Sequence, residues 1–167
     1  MWSCSSDAIT KPLALKQKMA IRIITKSKYN SHTEPLFKKL NILPLPMLSE
    51  FFKIQFMQHF VQKFLPEPLL SMWITNAICR LDQAEIQLRD DDLLHIPFAR
   101  TNTTSRFPLT SFPLLWENFP DSEIKFLRNK IEFNSKLKSF YLNKLSYNIQ
   151  CNRLLCPDCH FNNLPAP

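Results

Sequence analysis

A mainly α-helical fold, a small bundle of about five to six helices with a long proline-rich extended segment wrapping it, follows from three features of the sequence. Apolar residues recur at helical spacing in several stretches, above all between residues 46 and 65. Fourteen phenylalanines fall at such spacing, which favours packed helices over disorder and reads as core rather than binding surface. Thirteen prolines are the only strong punctuation, because the 167-residue chain contains no glycine.

Taken in order, residues 1–12 are polar, end in Lys11-Pro12 and read as loose or extended. A first helix is predicted over 13–26, with Ala20, Ile23 and Ile24 on its apolar face and Lys18, Arg22, Lys26 and Lys28 crowding the other. Thr33-Glu34-Pro35 opens a second helix near 34–41: the Thr33 hydroxyl can cap it, and Pro35 suits a first turn whose N–H groups lack partners. Leu43-Pro44-Leu45-Pro46 reads as a rigid connector into the best helix of the chain, 46–65. There Leu48, Phe51, Phe52, Phe56, Phe60, Val61 and Phe64 form a broad apolar face, while Lys53, Gln55, Gln58, Gln62 and Lys63 stay solvated. These elements make 13–65 one basic, Phe-rich helical region.

Residues 66–120 read as irregular and Pro/Thr-rich, with a weaker helix around Leu69 to Cys79 anchored by Trp73. From Arg89 to Phe119 the prolines, Thr and Ser predict extended chain or an ordered loop that packs Phe98, Phe107, Phe112, Leu115 and Trp116 against the helices. Asp121 or Ser122 caps a helix near 122–129. Another, near 132–147, sets Phe133, Leu137, Phe140, Tyr141 and Leu145 against Lys136, Lys138 and Lys144, so that 121–148 forms a C-terminal helical region ahead of a Cys/His tail at 149–167.

Composition excludes several functions. Without glycine there is no G-x-G-x-x-G turn and no phosphate-cradling P-loop, and positive-φ turns are expected to fall to Asn or Asp. The net charge of +7 is uneven: residues 1–46 carry eight Lys/Arg against two acids, 47–99 four against seven, and 100–167 nine against five. Basic helices at both ends suit phosphate backbones, where each neutralised phosphate releases counterions. No run approaches the roughly 20 apolar residues of a bilayer span, so no membrane partner is expected. The absence of a signal-like N-terminus and the odd count of five cysteines place the chain inside the cell, cytoplasmic or nuclear, and not secreted.

The segment Ala20-x-Arg22-x-x-Thr25, followed after a polar loop by Pro35-Leu36-Phe37-x-x-Leu40-x-Ile42-Leu43, resembles the region downstream of the polymerase core in non-LTR, jockey-like retrotransposon reverse transcriptases. Trp116-Glu117-Asn118-Phe119-Pro120 is similar to that family's W-N-x-L-P signature, and Phe133 to Leu145 to its F-K-x-x-L-K-x-x-L-L tail. The resemblance covers roughly residues 13 to 150. It implies a noncatalytic thumb and post-thumb segment whose partners are an RNA or DNA backbone and the polymerase core of a parent polyprotein, a core expected to lie upstream of Met1. Lys18, Arg22, Lys26 and Lys28 are then the candidate nucleic-acid contacts. No catalytic residue is assigned: Asp90-Asp91-Asp92 is the only acidic run, and it lacks the apolar strand pair that would present carboxylates to Mg²⁺.

Cys151, Cys156, Cys159 and His160 form a C-x4-C-x2-C-H array, the only feature with metal-ligand character. Cys156-Pro-Asp-Cys159 has the spacing of half a zinc site, but adjacent Cys159 and His160 are poorly placed to bind one ion together. No cofactor is otherwise expected. Two alternatives stay open beside the polymerase-like reading: a small zinc-stabilised nucleic-acid-binding module, and the nonfunctional remnant of a decayed element.

Overall fold

A computed structural model describes residues 7–79 and 93–145. The chain is mainly α, in the order α1 Asp7–Ile24, α2 Glu34–Lys39, α3 Leu45–Val61, α4 Glu67–Leu70, α5 Asn76–Cys79, α6 Asn102–Arg106, α7 Pro108–Glu117, α8 Ser122–Lys125 and α9 Lys130–Lys144. Among the described residues, β pairing is confined to an isolated antiparallel bridge between Thr75 and Leu94. No described helix is long and apolar enough to cross a membrane. The described residues fall into two compact units, 49–136 and 7–48 with 137–145.

In the second of these units, Ile21, Phe37 and Leu145 form a buried cluster covered by Leu36, Leu40, Met47 and Leu142. Gln17 ties α1 to the Leu43-Pro44-Leu45 connector by donating from Nε2 to the Leu43 carbonyl at 3.1 Å and accepting on Oε1 from the Leu45 amide at 2.8 Å. Leu45 opens α3, where backbone N–H groups have no helical partner, so Gln17 caps that helix from 28 residues away.

In the 49–136 unit, Trp73 lies against Phe56, Phe60 and Phe112 with ring centroids 5.1 to 6.4 Å apart. Pro113 sits inside α7 and cannot donate to the Leu109 carbonyl four residues back. The Trp73 indole Nε1–H donates to that same carbonyl at 3.3 Å. The helix thus loses an internal bond at the point where the buried indole needs an acceptor, and each satisfies the other.

Several expectations are corrected here. α1 begins at Asp7 and carries Pro12 within it, whereas the sequence predicts a loose segment over 1–12. One proline removes a single backbone bond, and twelve further helical residues follow it. The stretch 101–117 forms α6 and α7 instead of extended chain: Thr101 and Thr104 make a reciprocal capping box, and Pro108 takes the first position of α7. Thr33 makes no side-chain cap: its backbone is already helical at φ −89°, ψ −23°, whereas a capping residue has extended backbone. Asp121 does cap α8, its Oδ1 accepting from the Ile124 amide at 3.1 Å.

On α3 the buried side chains are Ile54, Met57 and Gln58, while Phe52 and Val61, and Phe64 beyond its end, are exposed, so the burial does not follow the expected phenylalanine face. Phe133, Leu137 and Tyr141 of α9, and Leu145 just past its end, are buried at four-residue spacing as expected, whereas Phe140, assigned to the same face, is half-buried. Phe112 and Trp116 are buried, but Phe98 and Phe107 are not.

Positive φ falls at Lys26, Asn41 and Lys63. Each sits two residues past the end of α1, α2 or α3 in a Schellman turn, with amide-to-carbonyl bonds Ser27 to Arg22 and Lys26 to Ile23, Ile42 to Phe37 and Asn41 to Lys38, and Phe64 to His59 and Lys63 to Phe60. Asn41 matches the residue type expected; the two lysines do not. Their turns are imposed by the double hydrogen bond and not by side-chain preference. Lys63→Gly is accordingly expected to raise stability by about 0.5 to 1 kcal/mol, relief of the left-handed strain outweighing the added freedom of the unfolded chain. A fall in the urea midpoint would contradict this.

Candidate nucleic-acid interface

The four basic residues singled out by the sequence lie in the last two turns of α1 and the loop after it, but they are not equivalent. Arg22 is half-buried: its Nε donates to the Ser31 carbonyl at 3.1 Å, and its guanidinium carbon lies 5.9 Å from the Tyr29 ring centroid. That pair closes the loop between α1 and α2. Lys18 is partly buried, and Lys26 and Lys28 are exposed. Thr25 reinforces the end of the helix, its hydroxyl donating to the Ile21 carbonyl at 2.8 Å, which places Lys26 in its Schellman turn. Lys26 and Lys28 are therefore the cations of this set best placed to meet a phosphate, whereas Arg22 acts mainly as a brace.

The apolar face of α1 is turned the opposite way from the expectation. Ile21 is the buried residue of its C-terminal half, while Ile23, at 75% exposure, and Ile24 face solvent. Ile9, Leu13, Leu15 and Met19 are exposed with them. At 100° per residue these six side chains share one half of the helix, interrupted by Lys16 alone among charged residues. Ala20, Ile23 and Ile24 form a sound apolar stripe in sequence; the face turned inward is instead that of Gln17, Ile21 and Arg22, where Ile21 joins the cluster with Phe37 and Leu145 and Gln17 and Arg22 each bond to the loops beside it.

Lys125 shows how a cation can be spent on packing. Its Nζ donates to the Glu117 carbonyl at 3.2 Å and lies 5.7 Å from the centroid of the buried Trp116 ring. Burial lowers its pKa, partly offset by the Glu117 carboxylate. Trp116 is thereby closed off as a stacking platform for bases, in keeping with its reading as a packing residue. Lys136 is instead held above its ordinary value by its hydrogen bond and ion pair with Glu132, 3.0 Å away one turn earlier.

The Cys151, Cys156, Cys159 and His160 array and the Asp90-Asp91-Asp92 run lie outside the described residues. Among the described residues no group of three or more His, Cys, Asp or Glu is placed to hold a metal ion. Gln17, Tyr29 and Ser31 escape a reading of charge and periodicity, because their roles depend on bonds across 7 to 28 residues of chain that only the folded loops define. No family description, curated protein or solved structure matches the chain.

Proposed function

We propose that this chain is a noncatalytic, backbone-contacting segment that packs on a larger polymerase-like polypeptide, as its resemblance to the thumb and post-thumb of non-LTR reverse transcriptases implies. The observation that carries the reading is the outward apolar half of α1 ending in the exposed Lys26 and Lys28. The six exposed apolar side chains share one half of the helix and so supply a face for a protein partner. The adjoining lysines supply a sequence-tolerant grip on phosphate, since neither is held against an acceptor that would orient it toward base edges.

The test is binding of a 20-base-pair duplex across a salt series. The triple variant Lys18→Ala, Lys26→Ala and Lys28→Ala is expected to lower the slope of log K against log salt by roughly one for each phosphate no longer neutralised. An unchanged slope would remove this face from the binding surface. Arg22→Ala is left out of the set because it also opens the bond to Ser31. Primer extension on an RNA template with Mg²⁺ is expected to give no product; extension abolished by Asp91→Ala or Asp92→Ala would overturn the noncatalytic reading.

A further inference from the structure

Where α3 ends and α9 begins, exposed rings and cations alternate in a way that neither core packing nor helix formation requires. Phe126 is 82% exposed and Phe64 69% exposed. Lys63, Arg128 and Lys130 are exposed beside them. The two segments are joined through the Leu127 carbonyl, which accepts from Gln58 Nε2 at 2.8 Å and from Gln62 Nε2 at 2.9 Å. Phe64 is further fixed by an edge contact of its ring with His59, centroids 6.4 Å apart, and Lys130 is close enough to His59 to lower its pKa beyond the effect of burial. All of these residues belong to the 49–136 unit.

We propose that this surface is a binding site for single-stranded nucleic acid, with Phe126 and Phe64 as stacking faces for unpaired bases and Lys63, Arg128 and Lys130 as contacts to the phosphates that follow them. The proposal takes its ligand class from the reading above but rests on different residues, in a different unit from Lys26 and Lys28. Charge complementarity selects the ligand. The three cations form no ion pair among the described residues; of the acids in the same stretch, Glu132 is paired with Lys136, Asp121 caps α8, and Glu123 lies in the first turn of α8 where it faces the positive helix end. An exposed phenyl ring offers a base a π-face without hydrogen bonds, which gives affinity without sequence preference. A duplex presents phosphates but keeps its bases stacked internally, so it can use only half of the site.

The experiment uses the full chain and three fluorescent probes: a 20-nucleotide oligo-dT, a 20-base-pair duplex, and vesicles of phosphatidylcholine with phosphatidylserine. Phe126→Ala is expected to weaken oligo-dT binding by roughly 5- to 150-fold, the loss typical of removing one base–aromatic stack, and to leave duplex binding unchanged. Because Phe126 is exposed, the helical content and melting of this variant should match the parent, and Phe126→Leu should fail to rescue binding because it restores bulk without a π-face. Arg128→Ala with Lys130→Ala should reduce the salt slope for oligo-dT by about 1.4, since each phosphate contact on a single strand contributes about 0.7. The proposal is overturned if the parent does not bind oligo-dT, if Phe126→Ala and Phe64→Ala bind it normally, or if the ring substitutions abolish vesicle binding instead, which would make the patch a lipid contact. The α1 lysine triple variant separates the two sites: it should weaken duplex binding while leaving the Phe126 effect on oligo-dT intact.

Discussion

Trp73→Ala is expected to destabilise the 49–136 unit by about 3 to 5 kcal/mol, close to the whole stability of a small domain. The indole is 5% exposed and touches three phenylalanine rings from α3 and α7, so truncation leaves a cavity that helices cannot close by small shifts. Its removal also strands the Leu109 carbonyl, which Pro113 cannot serve. Trp73→Phe separates the two contributions: it keeps most of the ring packing, gives up the N–H, and is expected to cost only about 1 kcal/mol beyond the change in size. Thermal melting followed by far-ultraviolet circular dichroism reads both. A Trp73→Ala protein melting within about two or three degrees of the parent would show that the aromatic cluster is not the core of this unit.

That cluster also marks how far the sequence can be read. Trp73 stands out as an anchor because it is the largest ring in the weakly helical stretch from Leu69 to Cys79, and the face of Phe133, Leu137, Tyr141 and Leu145 follows from four-residue spacing alone. The partner surfaces are another matter. Prolines 108 and 113 argue for extended chain when each is weighed locally, yet one occupies a first helical turn and the other is relieved by a side chain 40 residues earlier. The orientation of α1 is hidden for the same reason: periodicity finds the stripe of Ile23 and Ile24, while the packing of Ile21 against Phe37 and Leu145 and the bonds of Gln17 and Arg22 to the loops go with the other face. Of the candidate site, the presence of cations near the end of α1 is legible and their division of labour is not. Arg22, Lys26 and Lys28 differ only in what the 25–31 loop places beside them.

Gln58 offers the second large effect, because periodicity assigns it to the solvated side of α3 and it is instead 1% exposed. Its Nε2 donates to the Leu127 carbonyl, and its Oε1 is buried with no hydrogen-bond partner among the described residues. Gln58→Glu places a carboxyl group at that position. Protonated, the carboxyl can donate to Leu127 much as the amide does; ionised, it faces a carbonyl oxygen in a dry environment, so its pKa in the folded protein must rise well above the roughly 4.3 of an unfolded glutamate. For an acid whose folded pKa is raised, the penalty is absent below the unfolded pKa and grows by about 1.4 kcal/mol per pH unit until the folded pKa is reached. The variant should therefore match the parent near pH 4 and be about 3 to 4 kcal/mol less stable at pH 7. Gln58→Met should show no such pH dependence, since Gln62 still serves the Leu127 carbonyl and an unpartnered acceptor is removed with the amide. Urea midpoints at pH 4 and pH 7 for the two variants test this directly. A constant gap between Gln58→Glu and the parent across that range would mean that the side chain reaches water and that the α3 contact with the Leu127 loop is looser than its hydrogen bonds imply.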